Sequence, residues 1–89
     1  MKNPYLEVTF RGGKAFAAYY HLRRGSGHKS VRCRRLEAGL VVDYAADGLP
    51  IGIEITAPES LSLEAFNRVL LDLGQPVATD RDLAPLHAA

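Results

Sequence analysis

Eighty-nine residues, 47% hydrophobic and 8% aromatic, with a formal net charge of +1, exclude an expanded disordered chain, which requires low hydrophobicity and high net charge. A chain this short buries only about 60 to 65 per cent of its unfolded surface, so its core must be thin: one sheet covered by one helix. The single cysteine, Cys33, excludes an internal disulfide and a cysteine-based metal cluster and points to a reducing, cytoplasmic setting.

Met1-Lys2-Asn3-Pro4 leads into an alternating pattern instead of a continuous apolar run, so neither a signal peptide nor a membrane span is expected. Leu6, Val8 and Phe10 alternate with Glu7 and Thr9, and Phe16, Ala18, Tyr20 and Leu22 alternate after Gly12-Gly13. This predicts a first hairpin. A three-residue Gly12-Gly13-Lys14 loop would set Val8 against Ala18 and Phe10 against Phe16, leaving Glu7, Thr9, Ala17, Tyr19 and His21 on the reverse face. Arg23 to His28 is polar and glycine-rich and reads as a flexible connection. A third strand is expected at about Lys29 to Arg35, with Cys33 against Val42, Val31 against Tyr44 and Arg32 against Asp43, so that Cys33 points into the core.

The stretch Leu40-Val41-Val42-Asp43-Tyr44, Asp47-Gly48, Ile51-Gly52-Ile53-Glu54-Ile55 is the strongest hairpin signal. Pairing Tyr44 with Ile51, Val42 with Ile53 and Leu40 with Ile55 gathers the large apolar residues on one face, whereas a one-residue slip would bury Asp43 and Glu54. Pro50 lacks a ladder donor, which places its strand at a sheet edge or leaves that residue in the turn. Gly52 leaves room on the outward face for Asp43 or Arg32 to lie across it. Beyond Ala57-Pro58-Glu59 the period changes: Ser62 is a candidate N-cap, Leu63, Phe66, Leu70 and Leu73 form a stripe widened by Val69, and Gly74 and Pro76 stop the helix. Thr79 and Asp82 could cap a last short helix carrying Leu83 and Leu86, with Leu71 as its contact on the main helix. The fold class is therefore α+β: an antiparallel β-meander of about five strands (about 5–56), a helix (about 62–73) packed on one face, and a short tail element (about 80–87), all in a single domain spanning 1–89.

Charge is segregated along the chain. Lys2, Arg11, Lys14, Arg23, Arg24, Lys29, Arg32, Arg34 and Arg35 face only Glu7 in the first thirty-five residues, and from Leu36 onward Arg68 and Arg81 face Glu37, Asp43, Asp47, Glu54, Glu59, Glu64, Asp72, Asp80 and Asp82. Such asymmetry indicates either an acidic partner or pairing between the two halves. In the expected register Arg32 and Arg34 would neutralise Asp43 and Glu54, each cross-strand pair contributing roughly 0.2 to 1 kcal/mol.

Phe16-Ala17-Ala18-Tyr19-Tyr20-His21-Leu22, Gly39-Leu40-Val41-Val42-Asp43-Tyr44 and Asp47-Gly48-Leu49-Pro50-Ile51-Gly52-Ile53-Glu54-Ile55 resemble the bacterial family called Domain of Unknown Function 2283, over roughly the first two-thirds of the chain. The resemblance implies a bacterial α+β protein and carries no activity to transfer; a role beside small toxin-like proteins is the expectation that accompanies it. The chain departs from the family pattern at Gly12-Gly13 and in its basic third strand.

No spacing among His21, His28, Cys33, Asp43 and Glu54 matches a metal motif or a nucleophile elbow, and Arg24-Gly25-Ser26-Gly27 does not precede a helix as a phosphate cradle would. The residues point to a small non-catalytic interaction module without a cofactor, self-associating as a homodimer or binding a protein partner in an antitoxin-like manner. The expected surface is Tyr19, His21, Arg23, Arg24, Arg32 and Arg34. The alternative is nucleic-acid binding through the basic residues 23–35, where arginines near exposed aromatics could hold phosphates and stack on bases.

Overall fold

The computed structural model describes residues 4–22, 29–36 and 39–87. Five antiparallel strands form one sheet: β1 (Tyr5–Arg11), β2 (Lys14–His21), β3 (Arg32–Leu36), β4 (Leu40–Tyr44) and β5 (Pro50–Ile55). Helix α1 (Leu63–Asp72) and a short α2 (Asp80–Leu83), continued by a 3-10 turn over Ala84–His87, pack on one face. The fold is thus the α+β arrangement of successive antiparallel strands under a C-terminal helix. In space the strands run β1-β2-β5-β4-β3, so β5 is central and β1 and β3 are the two edges. Pro50 sits at the first residue of this central strand, where no ladder donor has been lost from the interior.

Register follows the turn residues. Gly12 (φ 60) and Gly13 (φ 79) both adopt positive φ, the conformation of a two-residue I′ turn, so Arg11 pairs with Lys14 and Phe10 with Ala15. Farther along, Val8 pairs with Ala18 as expected, and a bulge between Thr9 and Phe10 absorbs the difference. Phe10 and Phe16 consequently do not pair, and both are exposed; the Arg11 guanidinium lies 4.0 Å from the Phe16 ring centre.

The β4–β5 hairpin pairs Leu40 with Ile55, Val42 with Ile53 and Asp43 with Gly52, which sends the apolar set inward. Its turn is closed by Ala45 N–H donating to the Leu49 carbonyl at 2.9 Å and by Leu49 N–H donating to Asp47 Oδ1 at 3.0 Å. A second bulge sets Tyr44 opposite Pro50 in place of Ile51.

Strand β3 is shorter than expected and shifted by one residue: Leu36 pairs with Leu40, Arg34 with Val42, Cys33 with Asp43 and Arg32 with Tyr44. The shift places Leu36 against the core, whereas the alternative register would have buried Cys33, a smaller side chain contributing less on burial. Every side chain of β3 therefore lies on the face opposite to the expected one. Cys33 is exposed, and Arg32 and Arg34 share the face of the sheet that carries α1.

Ser62 caps α1, its Oγ accepting from the Ala65 N–H at 3.1 Å, and Gly74 (φ 71) ends it, with Gln75 N–H donating to the Leu70 carbonyl at 2.8 Å. Phe66 and Leu70 are fully buried against Leu40, Val42, Ile53 and Ile55. Asn67 then holds the tail in both directions, donating from Nδ2 to the Ala78 carbonyl at 2.9 Å and accepting the Ala78 N–H at 2.7 Å. The Thr79–Asp82 capping box opens α2, which brings Leu83 and Leu86 into the same core. Leu71 takes no part in this packing; it is 65% exposed.

Candidate interaction surface

The sheet has a covered face and an open one. On the open face, Tyr19 of β2 extends over Gly52 of β5, and its hydroxyl donates to Asp43 Oδ2 of β4 at 2.8 Å. A Cβ on Gly52 would overlap the Tyr19 ring and hydroxyl, so the glycine makes space for tyrosine and not for Asp43 or Arg32. Beside it, His21 stacks on Tyr5 with ring centres 4.3 Å apart, meets Tyr19 edge-on at 4.7 Å, and lies 2.6 Å from Glu7 Oε1 through Nε2. His21 is therefore a partnered side chain and not a freely solvated one. An open depression of about 340 Å³ bounded by Glu7, Thr9, Tyr19 and Glu54 completes this face.

Tyr19 is held above the usual phenol value of 10.0, first by burial, then by its hydrogen bond to Asp43 and the charges of Asp43 and Glu54. Burial likewise raises Tyr20, with Asp82 adding to it. A phenol raised on folding retains its proton better in the native state, so its contribution is complete below about pH 10 and is lost as pH rises through the folded value. The melting temperature is expected to fall above pH 10, and Asp43→Asn should leave the Tyr19 hydroxyl titrating at lower pH than in the parent, read from tyrosinate absorbance. An unchanged titration curve would contradict the assigned role of Asp43.

The second surface is built by β3 and α1. Arg32, Cys33, Arg34 and Arg35 are all exposed along an edge strand. Between this edge and the helix is a groove of about 380 Å³ with Leu36, Val42 and Tyr44 on the sheet side, Val69 and Leu73 on the helix side, and Arg34 and Arg68 at its margins. Arg32 lies over the Tyr44 ring, 4.9 Å from its centre, which pins part of the basic edge to the groove floor.

The expected surface is therefore divided. Tyr19 and His21 belong to the open face, Arg32 and Arg34 to the opposite face, where Arg34 lines the groove, and Arg23 and Arg24, like the Arg23–His28 connection, lie outside the described residues. Arg32 and Arg34 do not neutralise Asp43 and Glu54: Asp43 is bound by Tyr19, and among the described residues the one contact within ion-pair distance is that of His21 with Glu7. Lys29, Arg32, Arg34 and Arg35 have no carboxylate partner among those residues.

Arg68 and the groove escaped the sequence reading, although Ala65, Arg68, Val69 and Asp72 follow the i, i+3, i+4, i+7 spacing of a helix face next to the core stripe. No group of three or more His, Cys, Asp or Glu among the described residues could hold a metal ion, and none of the described helices is long and apolar enough to cross a membrane. No protein-family model, curated protein or solved structure matches the chain.

Proposed function

We propose that the chain is a small non-catalytic partner-binding module that docks a protein through the β3 edge and its groove. The observation that carries this reading is a strand edge with no partner strand among the described residues, where Arg32, Arg34 and Arg35, with Lys29 just before the strand, are exposed and unneutralised among those residues, adjoining an apolar groove. An open edge is a template for a further chain, and arginines along it oppose pairing of β3 with β3 of a second copy. This favours a different protein over a homodimer formed through that edge. A bacterial, cytoplasmic, antitoxin-like holder of a partner protein is the form this takes under the resemblance to Domain of Unknown Function 2283.

The unpaired cations also favour nucleic acid, but the accompanying aromatics are misplaced for it. Tyr20 is buried, Tyr19 is bound to Asp43, the half-buried Tyr44 on the groove floor already has its ring face covered by Arg32, and the exposed rings Tyr5, Phe10 and Phe16 lie on β1 and β2 at the far side of the sheet from β3. Stacking and phosphate contacts would not converge on one groove.

Cys33 provides the test, being the chain's only cysteine and exposed on β3. A thiol-linked photo-crosslinker at Cys33, activated in host extract, is expected to capture a protein of defined mass, and the capture should disappear in the Arg32→Glu/Arg34→Glu variant. Capture that persists in that variant, or an adduct of RNA alone, would overturn the reading. An adduct at twice the mass of the chain would make the partner a second copy.

A further inference from the structure

We infer that the occupant of this surface is an extended acidic segment of another protein that adds alongside β3 as a sixth strand, an inference resting on the partner-binding reading above. The β3 pairings define what such a strand meets. Arg32, Arg34 and Leu36 are on the helix-bearing face, opposite Tyr44, Val42 and Leu40, and Cys33 and Arg35 are on the other. A strand added at the usual spacing of about 4.8 Å places its alternate side chains directly beside these. Carboxylates there would pair across strands with Arg34 on one face and Arg35 on the other, while an apolar side chain next to Leu36 would enter the groove toward Val69 and Leu73.

Each feature selects against other occupants. A phosphate backbone would use the cations but leave without a role the apolar floor and the row of β3 peptide groups that no strand pairs among the described residues. An amphipathic helix would fill the groove without satisfying the strand edge. A second β3 would set arginine against arginine. An acidic strand uses the peptide edge, the charge and the groove together. Asp72, the carboxylate that lines the groove, lies across from this strand on α1, with Arg68 on the same helix face to offset it.

The test uses a fluorescent peptide of about ten residues repeating Glu-Glu-Val, so that successive carboxylates face opposite sides and Val can fall beside Leu36, its counterpart with Lys for Glu, and a version with a central Pro. Anisotropy should show binding of the acidic peptide that weakens with salt. The Lys counterpart should not bind, and the Pro version should bind about tenfold more weakly or worse, because it lacks a ladder donor. Amide shifts should be confined to 32–36 and 65–73. Arg34→Glu/Arg68→Glu should weaken binding by about tenfold or more. Ala65→Glu is a second variant at the groove whose folding is protected, since Ser62 with glutamate three residues on completes a capping box; it too should weaken binding. Equal binding of the Pro peptide, shifts around Tyr19 on the open face, or tighter binding of a single-stranded RNA of similar length would overturn the inference. If no acidic peptide binds while Cys33 still captures a protein, the acidic strand is refuted and the partner-binding reading survives; if both fail, both are refuted.

Discussion

Phe66→Ala is expected to cost about 3 to 5 kcal/mol, the range for deleting a buried aromatic from a close-packed core. Phe66 is fully buried at the centre of the one cluster that joins sheet, α1 and tail, and its ring meets Tyr20 edge-on with centres 5.0 Å apart. Edge-to-face contact of that kind contributes about 0.5 to 1.5 kcal/mol beyond the area buried. Small domains have only about 5 to 15 kcal/mol in total, and a domain of this size loses about 4 to 8 °C of melting temperature per kcal/mol. The variant should therefore be near the limit of folding at 25 °C. Urea unfolding followed by circular dichroism measures it; a cost below about 1 kcal/mol would show that the helix is not docked on the sheet through this ring. Phe66→Leu, which refills most of the volume, should recover most of the loss.

The second large effect is expected at Gly52. Gly52→Ala should cost about 1.5 to 3 kcal/mol, the range for a hydrogen bond to a charged group, because the new methyl takes the space occupied by Tyr19. The phenol is the end of a movable side chain and can swing away, but doing so breaks its 2.8 Å bond to Asp43 and disturbs its edge contact with His21. In a Tyr19→Ala background that obstacle is gone, and Gly52→Ala should become nearly neutral or slightly favourable, since alanine in a strand lacks the backbone-entropy cost of glycine. The double-mutant cycle should thus show a coupling of at least about 1 kcal/mol between the two sites. Additive effects would mean that Tyr19 does not occupy the space above Gly52.

The pairing of Leu40, Val42, Ile53 and Ile55 was legible in the sequence because a one-residue slip of the β4–β5 hairpin would bury Asp43 and Glu54. The Ser62 cap, the Phe66–Leu70 stripe and the Thr79–Asp82 box were legible for a similar reason: each uses neighbours a few residues apart, so spacing alone specifies the contact. Strand β3 was not. It alternates arginine with one cysteine, and with no bulky apolar set on either face the pattern scarcely penalises a one-residue slip. That slip moved Arg32 and Arg34 from the face of Asp43 to the other one, where Arg34 lines the groove and Arg32 covers Tyr44.

Composition and periodicity determined an α+β domain with a thin core, the β4–β5 hairpin and the α1 helix, since burial of apolar side chains at fixed spacing has one low-energy solution locally. Insertion of β5 between β2 and β4, the exposed β3 edge, the Arg68 side of the groove and the reach of Tyr19 across Gly52 to Asp43 all join residues distant in the chain. Such contacts depend on which strand edges and faces meet, a choice made by the packing of the whole core and not by any local spacing.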